Sequence, residues 1–303
     1  MRIFVTGGTG FVGARLVPFL AEQGHEVSLL LRPVESKEGL PAGVRVTEGD
    51  PTKEGPWWDG LRDCDAAVNL AGAPIFGRWN EQKKELIRES RVRTTRNLVT
   101  ALPAGKPFSL LSTSAVGIYG DAGDRELDES APLGDDFLAH VARDWEAEAA
   151  RARGRGARVA LTRFGIVLGP GGGALATLEK VTRRFLGGPV GTGRQWFSWI
   201  HREDLVRALL FLLERPDQEG VFNLCAPNPV RQLDVARALG RVLRRPALTP
   251  APALAVRLVL GEFADAVLFS QRMVPRRLQA AGFGFLFPEL EPALREVLVP
   301  TAP

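Results

Sequence analysis

The sequence predicts an α/β fold in which a doubly wound parallel sheet is followed by a smaller C-terminal lobe. Apolar, strand-like runs alternate with helical patterns through the first two-thirds of the 303 residues. These runs are continuously apolar, as expected for a parallel sheet that helices cover on both faces. The last third is instead divided by prolines into short helical pieces, which indicates a separate lobe packed on the sheet.

The predicted elements follow each other in strand–helix order. Strands are predicted at Arg2–Thr6, Glu26–Leu31, Arg45–Glu48, Ala66–Leu70, Ser109–Ser112, Arg158–Arg163 and Gly220–Leu224. Helices are predicted at Phe11–Glu22, Trp57–Leu61, Asn80–Ala101, Phe137–Arg153 and Leu205–Leu213. Pro18 lies inside the first helix, where it should kink the helix or remove one backbone hydrogen bond.

The charge balance does not favour a nucleic-acid partner. The net charge is +4, but the 39 lysines and arginines are interleaved with 35 aspartates and glutamates. The nearest basic cluster, residues 151–158, fits a helix end and a turn on a solvated surface. With 45% hydrophobic and 24% charged residues the composition is that of an ordinary globular protein. We therefore predict no nucleic-acid partner.

The cysteines and the apolar stretches indicate a cytoplasmic protein. Cys64 and Cys225 lie far apart, with no neighbours at metal-ligand spacing, which favours a reducing cytosol and argues against disulfides or a metal site. A strand starting at residue 2 leaves no room for a signal peptide. The most apolar helical stretch, Leu205–Leu213, is short and contains Arg207, so no membrane span is predicted. The sequence predicts no particular oligomeric state.

A glycine-rich loop directly after the first strand is the strongest functional signal. Glycines at 7, 10 and 13 stand between that strand and the first helix. In this pattern the first glycine makes the tight turn, the second lets the backbone approach a pyrophosphate, and the third lets helix and strand pack closely. The loop predicts a Rossmann-type dinucleotide site. Its predicted cofactor contacts are Gly7, Thr9, Gly10, Phe11, Val12 and Gly13.

The end of the second strand predicts NADP rather than NAD. A carboxylate there usually holds the ribose 2′-hydroxyl of NAD, whereas this chain has Arg32, a cation suited to a 2′-phosphate. The alternative is an ordinary strand-end arginine, with Glu35 serving the ribose. Asp50, after the third strand, is placed to meet the adenine amino group, although a plain turn aspartate fits nearly as well.

Small residues after the fourth strand complete the predicted cofactor track. The segment 69–73 has the sequence Asn-Leu-Ala-Gly-Ala. Leu70, Ala71 and Gly72 would let the nucleotide pass close to the backbone. The alternative is that these small residues form a tight strand-to-loop turn that binds no ligand.

Hydroxyl residues follow the fifth strand, at the edge where ligands bind in open α/β sheets. Nine segments of the chain are typical of one protein superfamily: GGTGFVG (7–13), NLAGAPI (69–75), RW (78–79), STSAVGIYG (112–120), RFGIVLGPGGGAL (163–175), GTGRQWFSWIH (191–201), GVFNLCAP (220–227), QRMVP (271–275) and AGF (281–283). Through these segments the chain resembles the extended short-chain dehydrogenase/reductases, the epimerase/dehydratase superfamily, and within it a subgroup with its own C-terminal domain. The resemblance covers nearly the whole chain.

The chain departs from that superfamily at the catalytic helix. Members usually carry Tyr-x-x-x-Lys there, in which the tyrosine moves the proton and the lysine lowers its pKa and holds the nicotinamide ribose. The corresponding positions by the usual spacing are Leu138 and Ala142, which cannot do acid–base chemistry. They fit the core stripe of an amphipathic helix.

The resemblance implies two candidate catalytic residues. Ser114 matches the superfamily's catalytic serine and would hydrogen-bond a substrate carbonyl or hydroxyl. Tyr119 is the one tyrosine of the chain, so a phenolic proton donor would have to be this residue. The alternative for Tyr119 is a packing residue with a satisfied hydroxyl.

Further residues are candidates for the substrate pocket. In members of the superfamily the segment that corresponds to residues 191–201 completes the substrate pocket. The resemblance therefore implies that Gln195, Trp196, Trp199 and His201 line the pocket, although a histidine among aromatic residues is more often a structural hydrogen-bonding group. Arg163 ends the sixth strand and is predicted to point into the crevice.

An arginine–tryptophan pair is a second pocket candidate. Arg78 and Trp79 precede the long helix at Asn80–Ala101 and could hold an anionic or planar substrate. A solvent-facing arginine beside a core tryptophan fits equally well.

Together these features predict an NADP(H)-dependent oxidoreductase or epimerase acting on a small-molecule substrate. We predict an NADP-binding domain over residues 1–168, joined by 205–226, and a substrate lobe over 169–204 and 227–303. The alternative is a non-catalytic NADP-binding redox sensor or scaffold that has lost the Tyr-x-x-x-Lys dyad.

Overall fold

The structure, a computed structural model, describes residues 1–299; residues 300–303, the end of the predicted C-terminal lobe, lie outside the described residues. Its strands are β1 (Arg2–Thr6), β2 (Glu26–Leu31), β3 (Arg45–Glu48), β4 (Ala66–Asn69), β5 (Phe108–Ala115), β6 (Glu126–Leu127), β7 (Ala157–Phe164), β8 (Ile166–Leu168), β9 (Trp196–Phe197), β10 (Trp199–His201), β11 (Gly220–Leu224), β12 (Val230–Arg231) and β13 (Arg272–Met273). Its helices are α1 (Gly13–Glu22), α2 (Asp59–Arg62), α3 (Glu81–Ala101), α4 (Phe137–Ala150), α5 (Gly173–Arg183), α6 (Arg202–Glu214), α7 (Gln232–Leu243), α8 (Ala253–Leu260), α9 (Ala264–Leu268), α10 (Arg276–Ala280) and α11 (Leu290–Leu298).

Seven strands form one parallel sheet, in the order β11-β7-β5-β4-β1-β2-β3. Helices α1 and α6 bury apolar side chains on one face of the sheet, and α2, α3 and α4 do so on the other. The strands between the edges are therefore covered on both sides, which explains why apolar residues predominate on both of their faces. The chain winds outward in both directions from β1, so the strand order reverses between β1 and β4, where ligands bind in this architecture.

The predicted sheet is confirmed, and the differences lie at the ends of elements. Strand β5 extends over Phe108–Ala115, so it reaches further toward the functional edge than predicted. Helix α4 ends at Ala150, and a short 3₁₀ turn takes its place over Arg151–Arg155. Helix α1 begins at Gly13 and continues through Pro18 to Glu22.

The rest of the chain forms short two-stranded pairs outside the main sheet. These pairs are β8 with β10, β9 with β12, and β6 with β13. Helix α11 packs against α7 in a separate apolar cluster. Buried Asp204 ties this part to α6, because its carboxylate accepts the backbone N–H groups of Leu286 and Phe287, each at 2.8 Å. No helix within residues 1–299 has both the length and the apolar character needed to cross a bilayer.

Candidate functional site

The loop between β1 and α1 is closed so tightly that only glycine fits at its two ends. Gly7 has φ 70°, and a Cβ there would lie 2.8 Å from the carbonyl carbon of Leu70. A Cβ on Gly13 would lie 2.3 Å from the carbonyl oxygen of Gly7 and 2.5 Å from the Cα of Gly8. The tight loop leads directly into the N-terminus of α1, next to the start of the loop that follows β4, an arrangement that fits a bound pyrophosphate.

Phe11 connects this loop to residues later in the chain, before α5 and at the start of α6. A Cβ on Gly172 would lie 2.5 Å from the Phe11 ring, so the glycines that precede α5 let the chain pass over that ring. The guanidinium of Arg202 lies 5.2 Å from the ring centre on the same residue. Val12 is half-buried next to it. The sequence signal for this contact was the glycine run at 171–173.

Arg32 and Glu35 form the far end of the candidate cofactor site. The Glu35 carboxylate accepts the Arg32 backbone N–H at 2.8 Å, the Arg32 guanidinium at 3.2 Å and the Thr9 hydroxyl at 2.9 Å. Burial alone would raise the pKa of Glu35, but these hydrogen bonds outweigh it, and the pKa lies below its ordinary value. Arg32 keeps 57% of its side chain exposed, so it remains reachable by a ligand.

Asp50 is engaged within its own turn. Its carboxylate accepts the backbone N–H of Thr52 at 2.9 Å and the Thr52 hydroxyl at 2.7 Å. This is the local pattern that makes aspartate a frequent turn residue. The structure thus supports the turn interpretation, and the adenine contact stays a prediction.

Leu70, Ala71 and Gly72 lie across the strand reversal from the glycine loop. Gly7 closes against the Leu70 carbonyl and the Ala71 backbone nitrogen. Gly72 is exposed, and the guanidinium of Arg91 lies under it, since a Cβ on Gly72 would be 3.0 Å from Arg91 Cζ. The three residues therefore line the edge of the predicted cofactor track.

Ser114 lies one strand away from this track and has no partner among the described residues. It is 1% exposed, and its hydroxyl makes no hydrogen bond with any residue in the range 1–299. A buried, unpaired hydroxyl is costly unless a ligand or water completes it. The Ser114 hydroxyl is therefore suited to hydrogen-bond the nicotinamide end of a bound cofactor or the substrate.

Tyr119 and Arg163 belong to a buried network. Arg163 donates from Nε and Nη2 to the two carboxylate oxygens of Glu146, both at 2.8 Å, and from Nη1 to the Tyr119 hydroxyl at 2.9 Å. The Tyr119 hydroxyl lies 2.7 Å from Asn223 Oδ1 and 3.0 Å from the Asp128 carbonyl. The prediction that Arg163 points into the crevice is wrong, because the residue is 4% exposed and its guanidinium pairs with Glu146 inside the protein.

The network supports the packing role for Tyr119 over the role of proton donor. Burial raises the pKa of its phenol to about 12, although the hydrogen bonds from Arg163 and to Asn223 partly oppose that rise. Leu138 and Ala142, where the superfamily has its dyad, carry no acid or base. Glu146 and Asn223 are site residues that the sequence did not predict. The available signal for Glu146 was a charged residue next to Trp145, which lies on the apolar side of the helix.

A spectroscopic titration tests the role of Tyr119. The chain has one tyrosine, so absorbance near 295 nm reports this phenol alone. We expect it to ionise near pH 12 in the folded protein and near pH 10 in urea. Because the unfolded phenol loses its proton first, stability should fall as the pH rises from about 10 to about 12. A phenol that titrates near 10 while circular dichroism shows a folded protein would contradict the buried network.

Trp199 and His201 lie inside the protein, not on a pocket wall. Trp199 is fully buried, and its indole N–H donates to the Asn228 carbonyl at 3.3 Å. His201 is 1% exposed; its Nε2 lies 2.8 Å from Glu296 and its Nδ1 accepts the backbone N–H of Glu203, which caps α6. These contacts replace the predicted substrate role with a structural one for both residues.

Gln195 and Trp196 differ from each other in exposure. Gln195 is buried, and its side-chain amide donates to the Val190 carbonyl at 3.0 Å. Trp196 is half-buried, with the guanidinium carbons of Arg231 and Arg272 lying 3.9 and 4.8 Å from its ring. A ligand contact therefore stays a prediction for Trp196. The side chain of Gln195 instead holds its own loop together.

Arg78 and Trp79 lie next to the start of α4 and to the segment 261–263. Trp79 packs against Phe137 at the start of α4, with ring centres 5.2 Å apart, and against Phe263, at 5.7 Å. Arg78 is exposed close to Gly261. The structure thus brings the predicted pair together with two aromatic residues that the sequence did not single out.

Comparison with known proteins agrees with this geometry. Residues 3–225 match the NAD dependent epimerase/dehydratase family, and residues 251–297 match a domain of unknown function, DUF1731. The epimerase family protein SDR39U1 homolog, chloroplastic, of Arabidopsis thaliana is 41% identical over 307 residues, which cover 98% of this chain and 87% of that protein. The compartment named for that relative differs from the cytoplasm, which stays a prediction here.

Two solved structures place the fold among these proteins. Human epimerase family protein SDR39U1 (isoform2) with NADPH superposes with a TM-score of 0.85 at 37% identity, covering 98% of this chain and 99% of the other. UDP-glucose 4-epimerase of Thermus thermophilus, in complex with NAD, superposes with a TM-score of 0.76 at 18% identity, covering 98% and 97%. The second similarity concerns the fold alone.

Proposed function

Because the chain belongs to the NAD dependent epimerase/dehydratase family, we propose that it is an NADP(H)-dependent oxidoreductase or epimerase acting on a small-molecule substrate. The observation that carries the proposal is the glycine loop, which is closed at Gly7 and Gly13 and opens the N-terminus of α1 at the strand reversal. A loop built in this way fits a dinucleotide pyrophosphate.

The preference for NADP rests on Arg32. Its side chain is more than half exposed at the carboxyl end of β2, where a 2′-phosphate would lie. Glu35 holds the guanidinium from one side only, at 3.2 Å. A dianionic phosphate can share or replace that carboxylate, because charge-assisted contacts to arginine are strong and directional. The NADPH in the human relative supports the same choice.

At the reactive end, this chain's own contribution is orientation. The bound nicotinamide supplies or accepts a hydride. Ser114, buried and unpaired within residues 1–299 at the end of β5, would hydrogen-bond the reacting oxygen of the substrate. Tyr119 and His201 are engaged in internal hydrogen bonds, so the proton would be exchanged with water in the cleft.

The second candidate function is a non-catalytic NADP-binding sensor or scaffold. It is favoured by one observation: α4 presents Leu138 and Ala142 where a tyrosine and a lysine would do the acid–base work. Oxidation of NADPH against a panel of carbonyl compounds separates the two functions. Turnover that Ser114→Ala lowers while NADPH affinity is kept would support the enzyme, and binding without turnover would favour the sensor.

Replacing Arg32 by alanine tests the cofactor site. We expect NADPH to bind the wild-type protein more tightly than NADH, and Arg32→Ala to weaken NADPH binding about 10- to 100-fold, the value of a lost charge-assisted contact. NADH binding should change little, because it lacks the 2′-phosphate. Fluorescence titration of both nucleotides measures the dissociation constants.

Arg62→Ala is the matched control for this experiment. Arg62 is also an exposed arginine, paired with Asp59 three residues away, but it lies on α2 and outside the cleft. It should leave both dissociation constants unchanged. If the wild-type protein bound neither nucleotide, both the enzyme and the sensor would be rejected.

A further inference from the structure

Arg91 of α3 carries a positive charge that no carboxylate in residues 1–299 neutralises. Its Nη1 donates to the Ala73 carbonyl at 3.1 Å and to the Ile87 carbonyl at 2.9 Å, while Nε and Nη2 make no hydrogen bond with the described residues. The guanidinium carbon lies 5.3 Å from the centre of the Trp145 ring. Burial without a counter-ion lowers the pKa of Arg91 to about 10, so the group still carries its charge at neutral pH.

The helix and strand geometry places Arg91 level with Ser114. Thr95, one turn further along α3, accepts a hydrogen bond from Asn69, whose amide also reaches Ser112 of β5. Going back four residues along α3 moves about 6 Å toward the functional edge. Advancing two residues from Ser112 to Ser114 moves about 6.6 Å in the same direction, because α3 runs antiparallel to the strands.

Four further polar groups on α3, α4 and the end of β5 are buried and have no partner in residues 1–299. They are the hydroxyls of Thr94, Thr113 and Ser114 and the indole N–H of Trp145. Trp145 adjoins Glu146, which holds Arg163, and Arg163 is the register partner of Ser114 across β5 and β7. The unpaired groups therefore share the wall formed by α3, α4 and the end of β5.

We propose that Arg91 binds a carboxylate of the substrate at this wall, with the Trp145 indole N–H as an accompanying hydrogen-bond donor and Ser114 as the donor to the reacting oxygen. The inference rests on the proposed function and names its substrate class, an anionic carbonyl or hydroxyl compound. A planar guanidinium with two free donors matches a carboxylate in a bidentate way. Related enzymes carry a lysine on the helix that corresponds to α4, where this chain has Ala142. Arg91 would supply a positive charge from α3 instead.

The position of Arg91 favours the substrate over the cofactor as the source of the anion. The cofactor pyrophosphate would lie at the N-terminus of α1, between β1 and β4. Arg91 lies under Gly72, at the outer end of the predicted cofactor track, and its guanidinium extends from the Ala73 carbonyl to the Trp145 ring of α4, on the side away from α1. Both sources offer anionic oxygens, so the experiment has to distinguish them.

The test follows the Trp145 indole signal by ¹⁵N–¹H NMR, with the peak assigned through Trp145→Phe. Acetate is titrated into the protein with and without saturating NADP⁺, and acetamide serves as the neutral isostere. We expect a saturable shift of the Trp145 peak with acetate in both forms, and none with acetamide. Arg91→Gln should weaken the acetate response at least about fivefold, since it removes a charge-assisted contact.

Arg93→Gln is the matched control, because Arg93 lies on the same helix but is exposed and paired with Glu89. It should keep the acetate response. If Arg91→Gln does not fold, Arg91→Lys retains the charge without the planar fork and should bind acetate more weakly than wild type.

Three results would overturn the inference. The first is no acetate-induced shift of the Trp145 peak in the wild type, and the second is an unchanged shift in the Arg91 variant. The third is a shift that saturating NADP⁺ abolishes, because acetate would then occupy a site that belongs to the cofactor. Failure of wild type to bind NADP⁺ is a different result, since it rejects the proposed function itself.

Discussion

Replacing Glu146 by alanine is expected to lower the free energy of unfolding by about 3–5 kcal/mol, the loss typical when one partner of a buried ion pair is removed. Within residues 1–299, Glu146 is the single carboxylate that faces the Arg163 guanidinium, through two hydrogen bonds of 2.8 Å. Without it, a charge that is 4% exposed has the Tyr119 hydroxyl as its remaining partner. Urea denaturation followed by circular dichroism measures the change.

Glu148→Ala is the control for this experiment. Glu148 lies on the same helix, two residues on; its side chain is 12% exposed, but its partners Arg96 and Arg151 are 54% and 67% exposed. Because water hydrates these two arginines when the carboxylate is removed, we expect a loss of about 0–1 kcal/mol, as for a surface pair. Equal losses in the two variants would mean that burial of the Arg163 pair does not matter. A Glu146→Gln variant should fall between the two, since it keeps the shape and loses the charge.

The fold could be predicted from the sequence because its determinants are local. In strands such as Glu26–Leu31 apolar residues predominate on both faces, and this pattern is visible in the sequence without knowledge of the neighbouring strands. The glycine spacing at 7, 10 and 13 likewise encodes a turn whose steric demands arise within a few residues. The ends of β5 and α4 were less predictable, since tertiary packing decides how far an element continues.

The candidate site could be predicted only in part, because its side chains are paired across long stretches of sequence. Tyr119 meets Arg163, 44 residues away, and Asn223, 104 residues away. No local pattern indicates such a pairing, so an arginine at a strand end suggests a ligand contact until its carboxylate partner is located. His201 is a similar case, since Glu296 lies 95 residues further along the chain.

The pairing also changes what the cleft can do chemically. With Tyr119 and His201 engaged, and with Leu138 and Ala142 inert, the walls formed by residues 1–299 lack the proton-transfer groups of a typical dehydrogenase. What these walls keep are donors without partners and a cation without a counter-ion. If Arg91 binds the substrate as proposed, these walls would hold and polarise an anionic ligand beside the dinucleotide.

Replacing Gly13 by alanine is expected to abolish dinucleotide binding, with at least about a 100-fold loss of NADPH affinity. The added Cβ would lie 2.3 Å from the Gly7 carbonyl oxygen and 2.5 Å from the Gly8 Cα, both backbone atoms that no side-chain rotation can move. The loop must therefore shift away from α1, which displaces the N–H groups that would meet the pyrophosphate. The same overpacking should lower the free energy of unfolding by about 1–3 kcal/mol. Fluorescence titration and urea denaturation measure the two effects.

Gly154→Ala separates the steric effect from the general effect of adding a methyl group. A Cβ on Gly154 meets no atom within 4 Å, so this variant should bind NADPH as the wild type does and keep its stability. Normal NADPH binding by Gly13→Ala would mean that the loop does not cradle the cofactor. Lost binding with unchanged stability would mean that the loop shifts without strain, and that the N–H groups at the start of α1 are needed for affinity alone.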